Sequence, residues 1–154
     1  MREYEEKLKR IIEERGIEAE HLSFETSCHS VAEAAETVGA EPEDFIKSIC
    51  MVGVDGGIVV AIVNGEDRAS TSRVAKALGA GRPRVAAPAE VLGLTGFPVG
   101  GTPGFGFEAT YLVDPRVMEK ELVYLGGGSD YALVRMSPRE LVRVNGGRVV
   151  RVRK

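Results

Sequence analysis

Two features of this sequence could do chemistry. One is the stretch Thr95 to Asp114, TGFPVGGTPGFGFEATYLVD, with five Gly and two Pro in its first twelve positions. Gly lets the backbone take positive φ and approach a ligand with no Cβ in the way. Successive main-chain N–H groups in such a loop form a concave nest that suits a carbonyl oxygen or an anion. The plain alternative is a tight surface turn. Phe97, Phe105 and Phe107 argue against it, because a solvated turn has no need of three aromatic rings. The other feature is Lys47, set among Phe45, Ile46, Ile49 and Met51 on what reads as a largely buried strand. A lysine there is either a solvent-face or snorkelling side chain, or a functional charge.

Composition narrows the field. The chain has 154 residues, 44% hydrophobic and 28% charged, with a net charge of −3. That fits one globular domain with a real core. A duplex-DNA binder would be strongly basic. No apolar run is long enough to span a bilayer, and the N-terminal MREYEEKLKR is too polar for a signal peptide. Cys28 and Cys50 have no metal-ligand spacing and read as reduced thiols of a cytosolic protein. Gln is absent, Asn occurs only at 64 and 145, and Arg and Glu are plentiful, a pattern that points to a thermophilic source.

The elements that must position the loop and the lysine follow in order. Arg2 to Arg15 has the spacing of an amphipathic helix stopped by Gly16. Leu22 to Thr26 is a short strand. Ser30-Val31-Ala32-Glu33 is a capping box for a helix that ends at Gly39. Ile46 to Val54 and Ile58 to Asn64 flank Asp55-Gly56-Gly57 as a hairpin. Thr71 or Ser72 caps a helix closed by Gly79. Arg84 to Ala87 is a short strand and Pro88 to Leu92 a short helix. Beyond the Gly loop, strands are expected near Ala109 to Val113, Leu122 to Leu125 and Tyr131 to Met136. Ser137-Pro138-Arg139-Glu140 is a second capping box. Leu141 to Val144 and Arg148 to Val152 read as a terminal hairpin around Asn145-Gly146-Gly147. Together these predict a single mixed α/β domain spanning 1–154.

Residues 32 to 52, AEAAETVGAEPEDFIKSICMV, resemble the YbaK/ProX family of aminoacyl-tRNA deacylases, with Lys47 where that family carries a functional lysine. TGFPVGGTPGFG looks like the family's Gly-rich loop, and SPREL resembles its last helix start. The three motifs appear in the family's order and spacing. The resemblance implies a curved, mostly antiparallel mixed sheet flanked by helices. It also implies hydrolysis, in trans, of the ester joining a wrong amino acid to the terminal adenosine of tRNA. Such editing is needed because a binding pocket separates side chains differing by a methylene by only about 1–3 kcal/mol.

By that resemblance the catalytic residues are Lys47, Gly100, Gly101, Thr102 and Gly104. The loop N–H groups hold the oxyanion and the lysine grips the phosphate or ester end. Pro103, Phe105, Gly126, Gly127, His29 and Phe24 would bind substrate, with His21 an alternative to Phe24. No cofactor and no metal is implied, and the substrate's own ribose hydroxyl assists proton transfer. The partners implied are the tRNA acceptor end and, alternatively, a synthetase; no membrane is implied. The sequence departs from the family at two places. Pro103 stands one residue early in the Gly100-Gly101-Thr102-Pro103-Gly104 loop, and Gly126 replaces a Ser or His common in relatives. Asp114 reads first as a cap for the Pro115 turn. The alternating Val and Arg residues near the C-terminus read as a half-exposed strand pair, or as a basic edge for tRNA. A non-catalytic binding module and a synthetase-associated factor stay open beside the deacylase.

Overall fold

The computed structural model describes residues 2–28 and 30–154. His29 lies outside them. Helix α1 covers Glu3–Glu14 and strand β1 Ala19–Ser23. Helix α2, Val31–Val38, starts at Ser30, whose hydroxyl accepts from the Glu33 N–H at 3.1 Å, and ends at Gly39 in the left-handed conformation. Strands β2 (Ile46–Val52) and β3 (Ile58–Asn64) form the expected hairpin in full register, Ile46 opposite Asn64 and Val52 opposite Ile58. Helix α3 (Thr71–Leu78) is capped by Ser70, one residue earlier than expected. Strand β4 is Arg84–Val85, and α4 runs Pro88–Thr95, longer than its sequence suggested. The chain continues through β5 (Thr110–Val113), β6 (Val123–Gly126), β7 (Ala132–Met136), α5 (Pro138–Asn145) and β8 (Arg148–Val149).

The strands form two sheets, ordered β1-β7-β6 and β4-β2-β3-β5-β8. The first is antiparallel throughout; the second is mixed, with β3, β5 and β8 parallel. The sheets meet where Phe45 bridges to Tyr124, their rings stacked 4.9 Å apart. Successive side chains of a strand point to opposite faces, so the β2–β3 hairpin feeds two cores. Ile46, Cys50, Val60 and Ile62 pack with Phe97, Phe105, Leu125 and Leu141. Met51, Val59, Ala61 and Val63 pack with Val74, Leu112 and Val152.

The C-terminal end differs from the sequence reading. There is no terminal hairpin: α5 continues to Asn145, and Gly146 closes it with φ +65 and an N–H donated to the Val142 carbonyl. Asn-Gly can therefore end a helix as readily as it can turn a hairpin, because both need a left-handed residue. β8 then pairs parallel to β5 instead of doubling back. The second capping box is only half made. Ser137 accepts from the Glu140 N–H at 3.1 Å, but the Glu140 carboxylate turns to the Glu18 N–H at 2.7 Å and to Arg143. Asp114 is fully buried and acts as a cap, accepting from the main chain of Arg116, Val152 and Arg153 and from the Arg153 guanidinium. Of the arginines near the C-terminus, Arg143 bonds Glu140, Arg148 the Ala77 carbonyl, Arg151 the Arg153 carbonyl and Arg153 the buried Asp114.

Candidate functional site

The Gly loop is held at both ends by residues that bury. Thr95, the last residue of α4, takes the Phe97 N–H on its hydroxyl and donates to the Val91 carbonyl. Gly96 caps the helix with φ +81, which a residue with a Cβ rarely adopts. Phe97 and Phe105 are both fully buried. Between them the loop carbonyls are drawn inward. Pro98 accepts from the Gly101 N–H and the Thr102 hydroxyl, Gly101 accepts from the Gly128 N–H, and Gly104 accepts from the Asn145 amide at 3.0 Å. Pro103 has no N–H. Among the described residues, nothing accepts from the N–H of Gly100 or Thr102.

Those two residues open onto a cleft of about 410 Å³. Its floor is the β2 segment from Ile46 to Cys50, and its walls come from Val85, Ala86, the first turns of α4, the loop and Gly126. β4 pairs with β2 at Met51 and Val52, and the Ala86 N–H donates to the Cys50 carbonyl, which sets Val85 and Ala86 beside the β2 edge as a wall of the cleft. Lys47 lines the cleft with Gly100 and Thr102, although the two segments are far apart in sequence. Its ammonium has no hydrogen-bond or ion-pair partner among the described residues. Burial pushes its pKa down, Arg68 adds to the shift, and Asp67 opposes it. Next to it, Ser48 carries a buried hydroxyl with no partner, close to Gly104. Cys50 also lines the cleft, but burial pushes its thiol up to about 11, so it is not a thiolate at neutral pH.

Of the residues expected at the site, Lys47, Gly100, Thr102 and Gly126 line the cleft. The others are placed differently. Gly101 donates its own N–H to Pro98, and a Cβ on it would lie 2.4 Å from the Ser129 nitrogen. Gly104 is buried against Ile62, Leu141 and Ser48. Pro103 is buried, and Phe105 is fully buried in the core beside Phe97. Gly127 is packed against the Ala132–Leu133 peptide. Phe24 joins Ala34, Phe45, Tyr124 and Leu133 in a separate cluster. His21 donates from Nε2 to the Gly127 carbonyl at 2.7 Å, and burial lowers its pKa, so it supports the Gly run as a neutral ring. The wall residues Val85, Ala86 and Val91 were not expected at the site. Their only sequence signal was a short strand before a Pro-led helix, which says nothing about its pairing beside β2.

Gly126 owes its lack of a side chain to the loop. A Cβ there would sit 2.5 Å from the Thr102 carbonyl oxygen. The Gly126-Gly127-Gly128 run is thus a close-packed platform under the loop, not a free hairpin turn.

Comparison with known proteins agrees with this arrangement. A model of the aminoacyl-tRNA editing domain matches residues 25–144. The uncharacterized protein YwhH of Bacillus subtilis (strain 168) is 28% identical over 120 residues, 77% of this chain and 76% of that one. A solved structure described as a proposed trans-editing enzyme for prolyl-tRNA synthetase superimposes with a TM-score of 0.91 at 29% identity, covering 100% of this chain and 99% of that one. The hypothetical protein APE2540 gives a TM-score of 0.88 at 31% identity, over 96% and 99% of the two chains. The mixed α/β fold, the cleft beside the Gly loop and the match across residues 25–144 place this chain in the aminoacyl-tRNA editing domain family, of the YbaK/ProX type.

Proposed function

We propose that this protein is a deacylase that hydrolyses the ester of mischarged tRNA in trans. The observation that carries the reading is that Gly100 and Thr102, whose N–H groups meet no acceptor among the described residues, line one cleft with Lys47, whose ammonium has no partner among them. An aminoacyl ester is already activated. Its hydrolysis needs a placed water, donors for the oxygen that becomes negative, and a route for one proton. The loop supplies the donors, and a single aligned donor of this kind is typically worth about 2.7–4 kcal/mol. Lys47 supplies a positive charge for the nearby phosphate or the ester end. Among the described lining residues there is no carboxylate and no imidazole. The proton therefore passes through water and the neighbouring ribose hydroxyl of the substrate, which leaves the attacking water's oxygen on the amino acid and returns a hydroxyl to the ribose.

The net charge of −3 suits recognition of the acceptor end alone better than a grip on the whole tRNA body. The test is a deacylation screen of the purified protein against Ala- and Cys-tRNA(Pro) and Ser-tRNA species. Release of amino acid from at least one of them, lost in Lys47→Ala, is the expected result. Binding of these tRNAs without hydrolysis of any would favour the non-catalytic module.

A further inference from the structure

A second depression of about 280 Å³ lies beside the cleft, and Val99 belongs to the walls of both. Its walls include Tyr4 from α1 and Tyr131 from the turn between β6 and β7, with Pro98 and Val99 from the Gly loop and the carboxylates of Glu3 and Asp130 at its margin. Val99 is 56% exposed, an apolar ridge between the two spaces. The guanidinium of Arg2 lies over the Tyr131 ring at 6.0 Å and is bound to Glu5. The wall carries two carboxylates and no lysine. They accept from amino groups. Tyrosine rings and a proline offer flat apolar surface for a flat ring.

We propose that this depression is a nucleobase subsite, and that it takes the cytosine preceding the terminal adenosine of the acceptor strand. The inference rests on the reading of the cleft as the seat of the aminoacyl-adenosine. With the ester in the cleft, a strand that leaves it over Val99 brings the preceding nucleotide to this depression, since Val99 lines both spaces. Base-on-aromatic stacking tolerates any base. A carboxylate discriminates, because cytosine presents an N4 amino donor where uracil presents a carbonyl acceptor. The site thus prefers amino-bearing bases to uracil.

The experiment uses the intact protein and three unacylated probes: adenosine, the dinucleotide CpA and the dinucleotide UpA. Binding is followed by the NMR shifts of Val99 and Tyr131. CpA is expected to bind about tenfold more tightly than adenosine through stacking, with UpA between them. In Tyr131→Ala the gap between CpA and adenosine should shrink, while Tyr131→Phe should keep it. CpA no tighter than adenosine in the unaltered protein overturns the subsite. CpA and UpA of equal affinity overturns the assignment to cytosine. Deacylation of mischarged tRNA is measured separately. A CpA preference without any deacylation would leave the subsite standing and remove the enzymatic reading, whereas deacylation without a CpA preference would do the reverse.

Discussion

Gly126 lies directly beneath Thr102, so that a Cβ on the glycine would meet the Thr102 carbonyl oxygen at 2.5 Å and the Gly101 carbonyl carbon at 2.9 Å. The obstacle is backbone, which cannot swing aside as a side chain can. Gly126→Ser is therefore expected to cost about 1–3 kcal/mol by overpacking and to displace the loop. A lowered denaturation midpoint together with a slower single-turnover rate is the expected outcome. An unchanged midpoint would show that the loop has another place to sit.

The same geometry decides which variants test the oxyanion role. Gly101→Ala collides with the Gly128–Ser129 backbone and should lose stability before it reports on catalysis. Thr102 is the better probe. Thr102→Pro removes the N–H proposed to hold the oxyanion, and the rate at saturating enzyme should fall on the order of a hundredfold. Thr102→Val keeps that N–H and loses only the hydroxyl bond to Pro98, so it should cost about 1 kcal/mol of stability and little rate. Equal rates for the two variants would remove Thr102 from the oxyanion site.

Lys47 should behave as a residue kept for function. Its pKa is lowered by burial and by Arg68, so the folded state disfavours its proton. The sign follows: stability is reduced while the pH lies below the folded pKa and recovers as pH rises toward the ordinary lysine value of 10.5. Lys47→Met is thus expected to melt at the same or a higher temperature at neutral pH. It should also bind the tRNA end more weakly, by a margin that shrinks in high salt. A clear drop in melting temperature would make Lys47 structural.

Glu140 gives a test of the fold alone. Arg143 and the Glu18 N–H bring its pKa from 4.5 down to about 2. A lowered carboxylate pKa contributes stability that is present above the ordinary value and fades as pH falls. The stability gap between the protein and Glu140→Gln should be full at pH 6 and should close between about 4.5 and about 2. A gap that persists below pH 2 would trace to packing and not to the charge.

Hydrolysis is expected to survive EDTA, since no group of three or more His, Cys, Asp or Glu among the described residues is placed to hold a metal ion. Activity lost to the chelator and restored by zinc would overturn that expectation.

By itself the sequence determined the local elements and the family. Ser30, Gly39 and Ser137 marked helix ends correctly, and the alternation on either side of Asp55-Gly56-Gly57 gave the β2–β3 hairpin. These signals act between near neighbours, through caps, left-handed glycines and side-chain alternation, so they survive without knowledge of the fold. The motifs around Lys47 and the Gly loop pointed to the editing family, which the match over residues 25–144 shows. Only the tertiary structure decided which loop groups face the cleft. Gly101 and Gly104 are the same residue type as Gly100, a few positions apart, yet one is bonded to Pro98 and the other is buried on Ser48. Asn145-Gly146 carried a turn signal that serves a hairpin or a helix end equally, and the packing of Leu141 in the core chose the helix. Glu140 had a local partner in Ser137 but found a better one across the chain at Glu18. For Gly104, Asn145-Gly146 and Glu140 the deciding contact is with a distant segment, which short-range signals do not carry.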